Sequence, residues 1–199
     1  MASRSRRIGT PQLLVNLGLE AHNVAFAPDG KMLYALLIIR NAVFVSSTVV
    51  AIDVASGQRK GAFALPTGNA AANDILNTGH YLSVSPDGQK LAVTRWSGER
   101  QPLIEQWGID GKGQGQSPVG PGLVKCLQWT KDGRSILFAK SQDGLRWQIM
   151  RLGPGGDPPA FTGLEVTGLT YFDLSPDGSR IAFDGTSYAI RPPDLATTR

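Results

Sequence analysis

The stretch YLSVSPDGQKLAV, residues 81–93, decides the fold. Leu82 and Val84 stand two apart before Ser85-Pro86-Asp87-Gly88, and Leu91 and Val93 stand two apart after it. A period of two places each pair on one face of a strand. Between them Pro86 pre-sets φ near −65°, and Gly88 supplies a positive φ without a clash. The stretch reads as two antiparallel strands closed by a tight turn. Three more copies align without gaps: NVAFAPDGKMLYA from Asn23, CLQWTKDGRSILF from Cys126 and YFDLSPDGSRIAF from Tyr171. The turn residues are Asp29-Gly30, Asp87-Gly88, Asp132-Gly133 and Asp177-Gly178, with the aspartates 58, 45 and 45 residues apart. That interval suits a four-stranded blade.

Two further strands follow each complete hairpin. The first copy has residues 43–53 and 59–65. The second has 102–109, then a Gly/Gln-rich stretch to Gly120. The third has 146–152 and 160–164. One such sheet cannot bury both faces, so neighbours must stack. The fold class is all-β, a propeller of about four four-stranded antiparallel blades, spanning about 18–65, 79–119, 123–164 and 169–190. The last has strands A, B and a short C, and residues 11–17 read as the strand that completes it. Two arrangements stay open: a ring closed by pairing the terminal strands, or a piece of a larger ring. Residues 1–10 read as a flexible basic arm and 191–199 as a tail.

The S-P-D-G turn followed by I/L-A-F/V resembles the WD-like repeat of the TolB-type β-propellers. Ser85 to Gly88 with Leu91-Ala92-Val93 carries the likeness, as does Ser175 to Gly178 with Ile181-Ala182-Phe183; the copies at Ala27 and Thr130 are weaker. The resemblance implies a bacterial, non-catalytic scaffold for a protein partner that the sequence does not identify. Related repeats serve sensor regions of kinases and shield the active site of prolyl oligopeptidase-like peptidases. The chain therefore also reads as the propeller portion of a larger enzyme. A small-ligand or ion site at the channel mouth is a third reading.

Composition narrows the classes. Of 199 residues, 24 are Gly and 13 Pro, 41% are hydrophobic and 18% charged, which suits a turn-rich folded chain and not a disordered one. The longest apolar run, Leu33 to Ile39, is far short of a membrane span and reads as a buried strand. No membrane insertion is expected. The net charge of +4 comes partly from Arg4, Arg6 and Arg7, and no nucleic-acid module accompanies it. Those basic residues precede no apolar segment, so no export signal is read, and the compartment stays open. Cys126 is the single cysteine, so stability comes from packing and sheet hydrogen bonds.

No catalytic residues, metal site or cofactor are assigned. There is no G-x-S-x-G elbow, no H-E-x-x-H and no C-x-x-C. Gly111-Lys112-Gly113 lacks the spacing of a phosphate loop, and the Gly-x-Gly-x-Gly at 111–115 reads as a flexible connection between two strands. The turn aspartates read as backbone caps. One slot holds His22, His80, Lys125 and Thr170, each seven residues before its turn aspartate. On inner strands these would ring one mouth of the channel and hold an anion or a partner's carboxylate. Asp173, opposite Ala25, Ser83 and Gln128 in the other copies, is the inner-strand carboxylate, placed to hold a cation or pair with Lys125. Trp96 with Arg95 and Arg100 reads as an exposed loop cluster that could anchor a partner.

Overall fold

A computed structural model describes residues 15–17, 21–40, 45–66, 80–96, 101–154 and 157–191. The described residues form fifteen strands and no α-helix. Sheet one is β1 (Ala21–Phe26), β2 (Met32–Arg40), β3 (Val45–Asp53) and β4 (Arg59–Leu65). Sheet two is β5 (Leu82–Val84), β6 (Lys90–Trp96), β7 (Pro102–Gly108) and β8 (Gly113–Pro118). Sheet three holds β9 (Leu123–Trp129), β10 (Ile136–Ser141), β11 (Arg146–Leu152) and β12 (Ala160–Thr167). β13 (Tyr171–Leu174) and β14 (Ile181–Asp184) form a separate hairpin, and β15 (Ser187–Ile190) follows. Each four-strand run pairs antiparallel in chain order. This is the all-β, blade-by-blade architecture the repeats predict.

The four turns share one hydrogen-bond pattern. Gly30, Gly88, Gly133 and Gly178 all have φ between +66° and +71° and donate their N–H to the carbonyl three residues back. The aspartate carboxylate accepts the N–H two residues on: Lys31, Gln89, Arg134 and Ser179 donate at 2.9–3.0 Å. In three copies a hydroxyl completes the turn. Ser85, Thr130 and Ser175 donate to Asp87, Asp132 and Asp177, and accept the N–H of Lys90, Ser135 and Arg180. Ala27 holds that place in the first copy, so Asp29 lacks the hydroxyl.

The sheets stack through repeat-equivalent columns. Leu82, Leu91 and Val93 pack on Tyr34, Leu36, Val49 and Leu65 of sheet one. Leu127, Trp129, Ile136 and Phe138 pack on Ala92, Ile104 and Val119 of sheet two. Phe172, Ile181 and Phe183 pack on Cys126, Ala139, Trp147 and Ile149 of sheet three. The turns stack as well. A Cβ on Gly88 would lie 3.6 Å from Pro28 Cδ, on Gly133 3.7 Å from Pro86 Cδ, and on Gly178 3.1 Å from Lys131 Cβ.

Three parts differ from the sequence reading. β15, expected as a third strand beside β14, instead pairs with β12 and makes sheet three five-stranded. Only Gly185 and Thr186 separate β14 from β15, and a Cβ on Gly185 would come within 2.5 Å of Val166 Cγ1. The chain crosses to sheet three there because glycine permits that approach, and β15 covers the otherwise open edge of β12. Residues 15–17 do not pair with the last hairpin. Val15 and Leu17 pack on Leu33, Ala35, Leu37, Val50 and Ile52 of sheet one, and Arg59 Nη2 donates to the Leu17 carbonyl at 2.8 Å. Residues 11–14 of the expected strand lie outside the described residues, as do the arm 1–10 and the tail from 192. Finally, Gly113 to Gly115 is no flexible connection: it belongs to β8, paired with β7.

Two predictions follow from the turns. Ser85→Ala removes a buried hydroxyl that both donates and accepts, and should cost about 1–2 kcal/mol in urea unfolding, while Ala27→Ser installs the missing hydroxyl and should raise stability. Hydrogen bonds from hydroxyl and N–H hold the carboxyls of Asp87 and Asp132 below their ordinary value of 3.8. A depressed folded-state pKa adds stability that is fully present above the unfolded value. It is lost as pH falls through the depressed value, so the unfolding midpoint should fall below pH 3.8 and hold steady above it.

Candidate functional site

The inner strands β1, β5, β9 and β13 line a channel-side cavity of about 230 Å³. Their free edges face inward, so backbone N–H groups there need partners. Side chains of the preceding sheet supply them: Leu82 N–H donates to Asn23 Oδ1 at 3.1 Å, and Trp129 N–H to Ser83 Oγ at 3.3 Å. Gln128 Nε2 donates to the Tyr171 hydroxyl at 3.2 Å. Burial pushes the Tyr81 phenol up to about 12 and the Cys126 thiol up to about 11, so neither is a ready nucleophile. Cys126 sits at φ +53° where the β9–β10 register shifts, and its Sγ lies 3.9 Å from the Thr170 carbonyl.

The expected mouth residues separate into a pair and two individuals. The rings of His22 and His80 meet edge to face, with centroids 5.8 Å apart. Lys125 turns away from them: its Nζ lies 4.4 Å from the Trp147 ring centroid and donates to the Leu169 carbonyl at 3.2 Å. The cation is held by an aromatic face and a carbonyl of the next sheet, and Asp173 does not pair with it. Asp173 is exposed, with Oδ1 accepting the Leu174 N–H at 2.8 Å. Thr170 is exposed and donates its N–H to the Asp184 carbonyl. Among the described residues, no three or more His, Cys, Asp or Glu cluster as a metal site would require.

The Arg95–Trp96 cluster is a correction. Trp96 ends β6 and is only 8% exposed, not a loop anchor. Arg95 Nε meets Glu105 Oε1 at 2.7 Å across β6–β7, and Glu105 Oε2 accepts from Trp107 Nε1 at 3.2 Å. Arg95 Nη1 also donates to the Pro66 carbonyl. The group braces sheet two. Arg100 lies outside the described residues. The sequence misled because Arg and Trp in alternation near a loop read as surface, whereas the buried carboxylate that draws Arg95 inward sits ten residues away.

A larger cavity, about 330 Å³, lies on sheet three, and sequence reasoning missed it. Lys140 on β10, Gln148 on β11 and Glu165 on β12 are cross-strand partners in one row. The row carries a cation, an amide and a carboxylate side by side. Lys140 Nζ donates to the Val119 carbonyl at 2.6 Å, and burial lowers its pKa. The β10–β11 turn walls one end. Asp143 there accepts the N–H groups of Leu145 and Arg146, the Arg146 side chain and the Ser141 hydroxyl, which hold its carboxyl well below the carboxylate range. Glu165 is 3.4 Å from Arg191 Nη2. The only sequence signal was polar residues recurring on strand positions where Ile136 and Phe138 are apolar.

No protein-family model matches this chain, and no curated protein does. Solved structures do. TolB from Acinetobacter baumannii aligns over 90% of this chain and 42% of its own, at TM-score 0.58 and 20% identity. A protein assigned as TolB from Agrobacterium tumefaciens aligns over 89% of this chain and 63% of its own, at 0.60 and 19%. The WD40 repeats of RRP9 align over 81% and 44%, at 0.53 and 13%. Each likeness is one of fold: the chain is a β-propeller or a part of one. It spans less than two thirds of each of these structures.

Removing one member of the buried pair should be costly. Arg95→Met leaves the Glu105 carboxylate inside without its cation and should destabilise the chain by about 3 kcal/mol in urea unfolding, whereas Lys112→Met, at an exposed pair with Asp110, should cost under about 0.5 kcal/mol.

Proposed function

We propose that this propeller is a non-catalytic scaffold that holds a protein partner, and that the groove of sheet three is its contact surface. The Lys140–Gln148–Glu165 row carries the reading. It sets cation, amide and carboxylate on three hydrogen-bonded strands, with Asp143 and Arg146 adding one charge of each sign at its end. Such balance suits a polar protein segment with both signs of charge. A track for nucleic acid would need cations without interspersed carboxylates, since each phosphate contact must be neutralised. The sheet fixes the backbone from which these side chains extend, so little backbone ordering entropy is lost on binding. TolB and WD40 propellers, whose fold the chain shares, are commonly interaction scaffolds, and this supports the reading.

The test pairs the native chain with the double variant Arg146→Glu, Glu165→Lys, whose folding is checked by near-ultraviolet circular dichroism. A partner recovered on the immobilised native chain should bind the variant at least about tenfold more weakly, and native binding should weaken with added salt. Equal retention by both proteins, or hydrolytic turnover of peptide or ester substrates above a heat-denatured control, would overturn the proposal.

A further inference from the structure

The groove of sheet three contains two carboxylates that are engaged and two cations whose charge is only partly met. Asp143 accepts two backbone N–H groups, the Arg146 side chain and the Ser141 hydroxyl. Glu165, whose side chain is 14% exposed, lies against Arg191. On the other side of the balance, Arg146 spends its Nε on Asp143, and neither of its Nη groups has a partner among the described residues. Lys140 spends one N–H on the Val119 carbonyl, against the backbone of Gly120, where a Cβ would come within 3.0 Å of Nζ. A carbonyl carries no net charge. Among the described residues Lys140 joins no ion pair. The other inward cations are matched, Arg95 by Glu105 and Lys125 by the Trp147 ring.

Strand register explains why Lys140 and Glu165 do not neutralise each other. Gln148 stands between them, so they are two strand spacings apart, about 10 Å. The Gln148 amide has no hydrogen-bond partner among the described residues, and Arg146 stands two residues along β11 on the same face. Lys140, Gln148 and Arg146 thus present unspent N–H groups to one cavity, whose other charged groups are Asp143 and Glu165. Burial lowers the Lys140 pKa, so its charged form would gain from an incoming anion.

We infer that the groove selects a carboxylate, an Asp or Glu side chain of the partner, seated between the Lys140 ammonium and the Arg146 guanidinium beside the Gln148 amide. The inference rests on the reading of this groove as a partner surface and names the chemistry it selects. A carboxylate fits better than a phosphate on two counts. It is planar and carries one charge, matching the fork of Arg146. A doubly charged phosphate would meet repulsion from Asp143 and Glu165 in the same cavity.

The probe is a library of phage-displayed random peptides whose C-termini are joined to the coat protein, so only side chains supply a carboxylate. Peptides selected on the immobilised full chain should share an Asp or Glu. A synthetic copy should bind at least about tenfold more weakly when that residue becomes Asn or Gln, or when the chain carries Lys140→Met. Arg146→Gln serves should Lys140→Met not fold by circular dichroism. With the peptide bound, carbon-13 NMR of the Lys140 Cε should show the ammonium losing its proton at higher pH, which a purely structural role would not produce. Peptides without an acidic residue, equal binding to Lys140→Met, an unmoved Lys140 titration, or inorganic phosphate displacing the peptide at lower concentration than acetate would each overturn the inference. Acid-free peptides that are nevertheless lost on the Arg146→Glu, Glu165→Lys variant defeat this inference and leave the partner reading standing. Peptides held equally by that double variant and the native chain defeat the reading of the groove itself, and a library that yields no binder defeats both.

Discussion

Sheet-on-sheet burial of the inner-strand columns is the constraint on which the molecule depends. Each four-stranded sheet here carries apolar residues on both faces, and stacking takes most of them out of water. Leu82, Leu127 with Trp129, and Phe172 go under the preceding sheet at successive steps, and the outer strands follow because the turns fix their direction. The contacts between turns belong to the same step: a Cβ at 88 or 133 would make ordinary contact with the neighbouring proline, one at 178 would crowd Lys131, and all three positions hold a positive φ. At Gly178 one residue thus answers a local demand and a packing demand together.

The turn chemistry shows how little the fold asks of any single copy. A carboxylate capping the second N–H onward is present in all four turns, whereas the bridging hydroxyl is present in three. Lys131 replaces proline and still places its Cβ on Gly178. Charge is handled similarly. Arg95 and Glu105 are carried inside sheet two as a hydrogen-bonded unit with Trp107, and Lys125 is absorbed by the Trp147 face. The Arg95–Glu105 pair becomes an internal brace once strands bring the partners across, while Lys112–Asp110 stays at the surface.

What was legible in the sequence was whatever repeats. The four hairpins and strands 59–65 and 146–152 follow from period-two alternation and the Asp-Gly turn, which are local. The path of β15 was not legible, because it depends on Gly185 meeting Val166, a contact between sheets. The mouth ring was half legible. Equal spacing does bring His22 and His80 together, but Lys125 leaves the ring for a tryptophan that no repeat column marks. The groove was hidden for the opposite reason: Lys140, Gln148 and Glu165 are neighbours only through strand register, and register between distant strands is set by the turns and bulges connecting them.

The most direct test of the architecture is pulsed electron resonance between spin labels on the four turns, at positions 31, 89, 134 and 179. Equivalent corners of successive stacked sheets should give three narrow, closely similar distances for the neighbouring pairs and longer ones for pairs two or three turns apart, read on chains diluted with unlabelled protein. Neighbouring pairs with unrelated or broad distances would contradict the stacking of these sheets about a common channel.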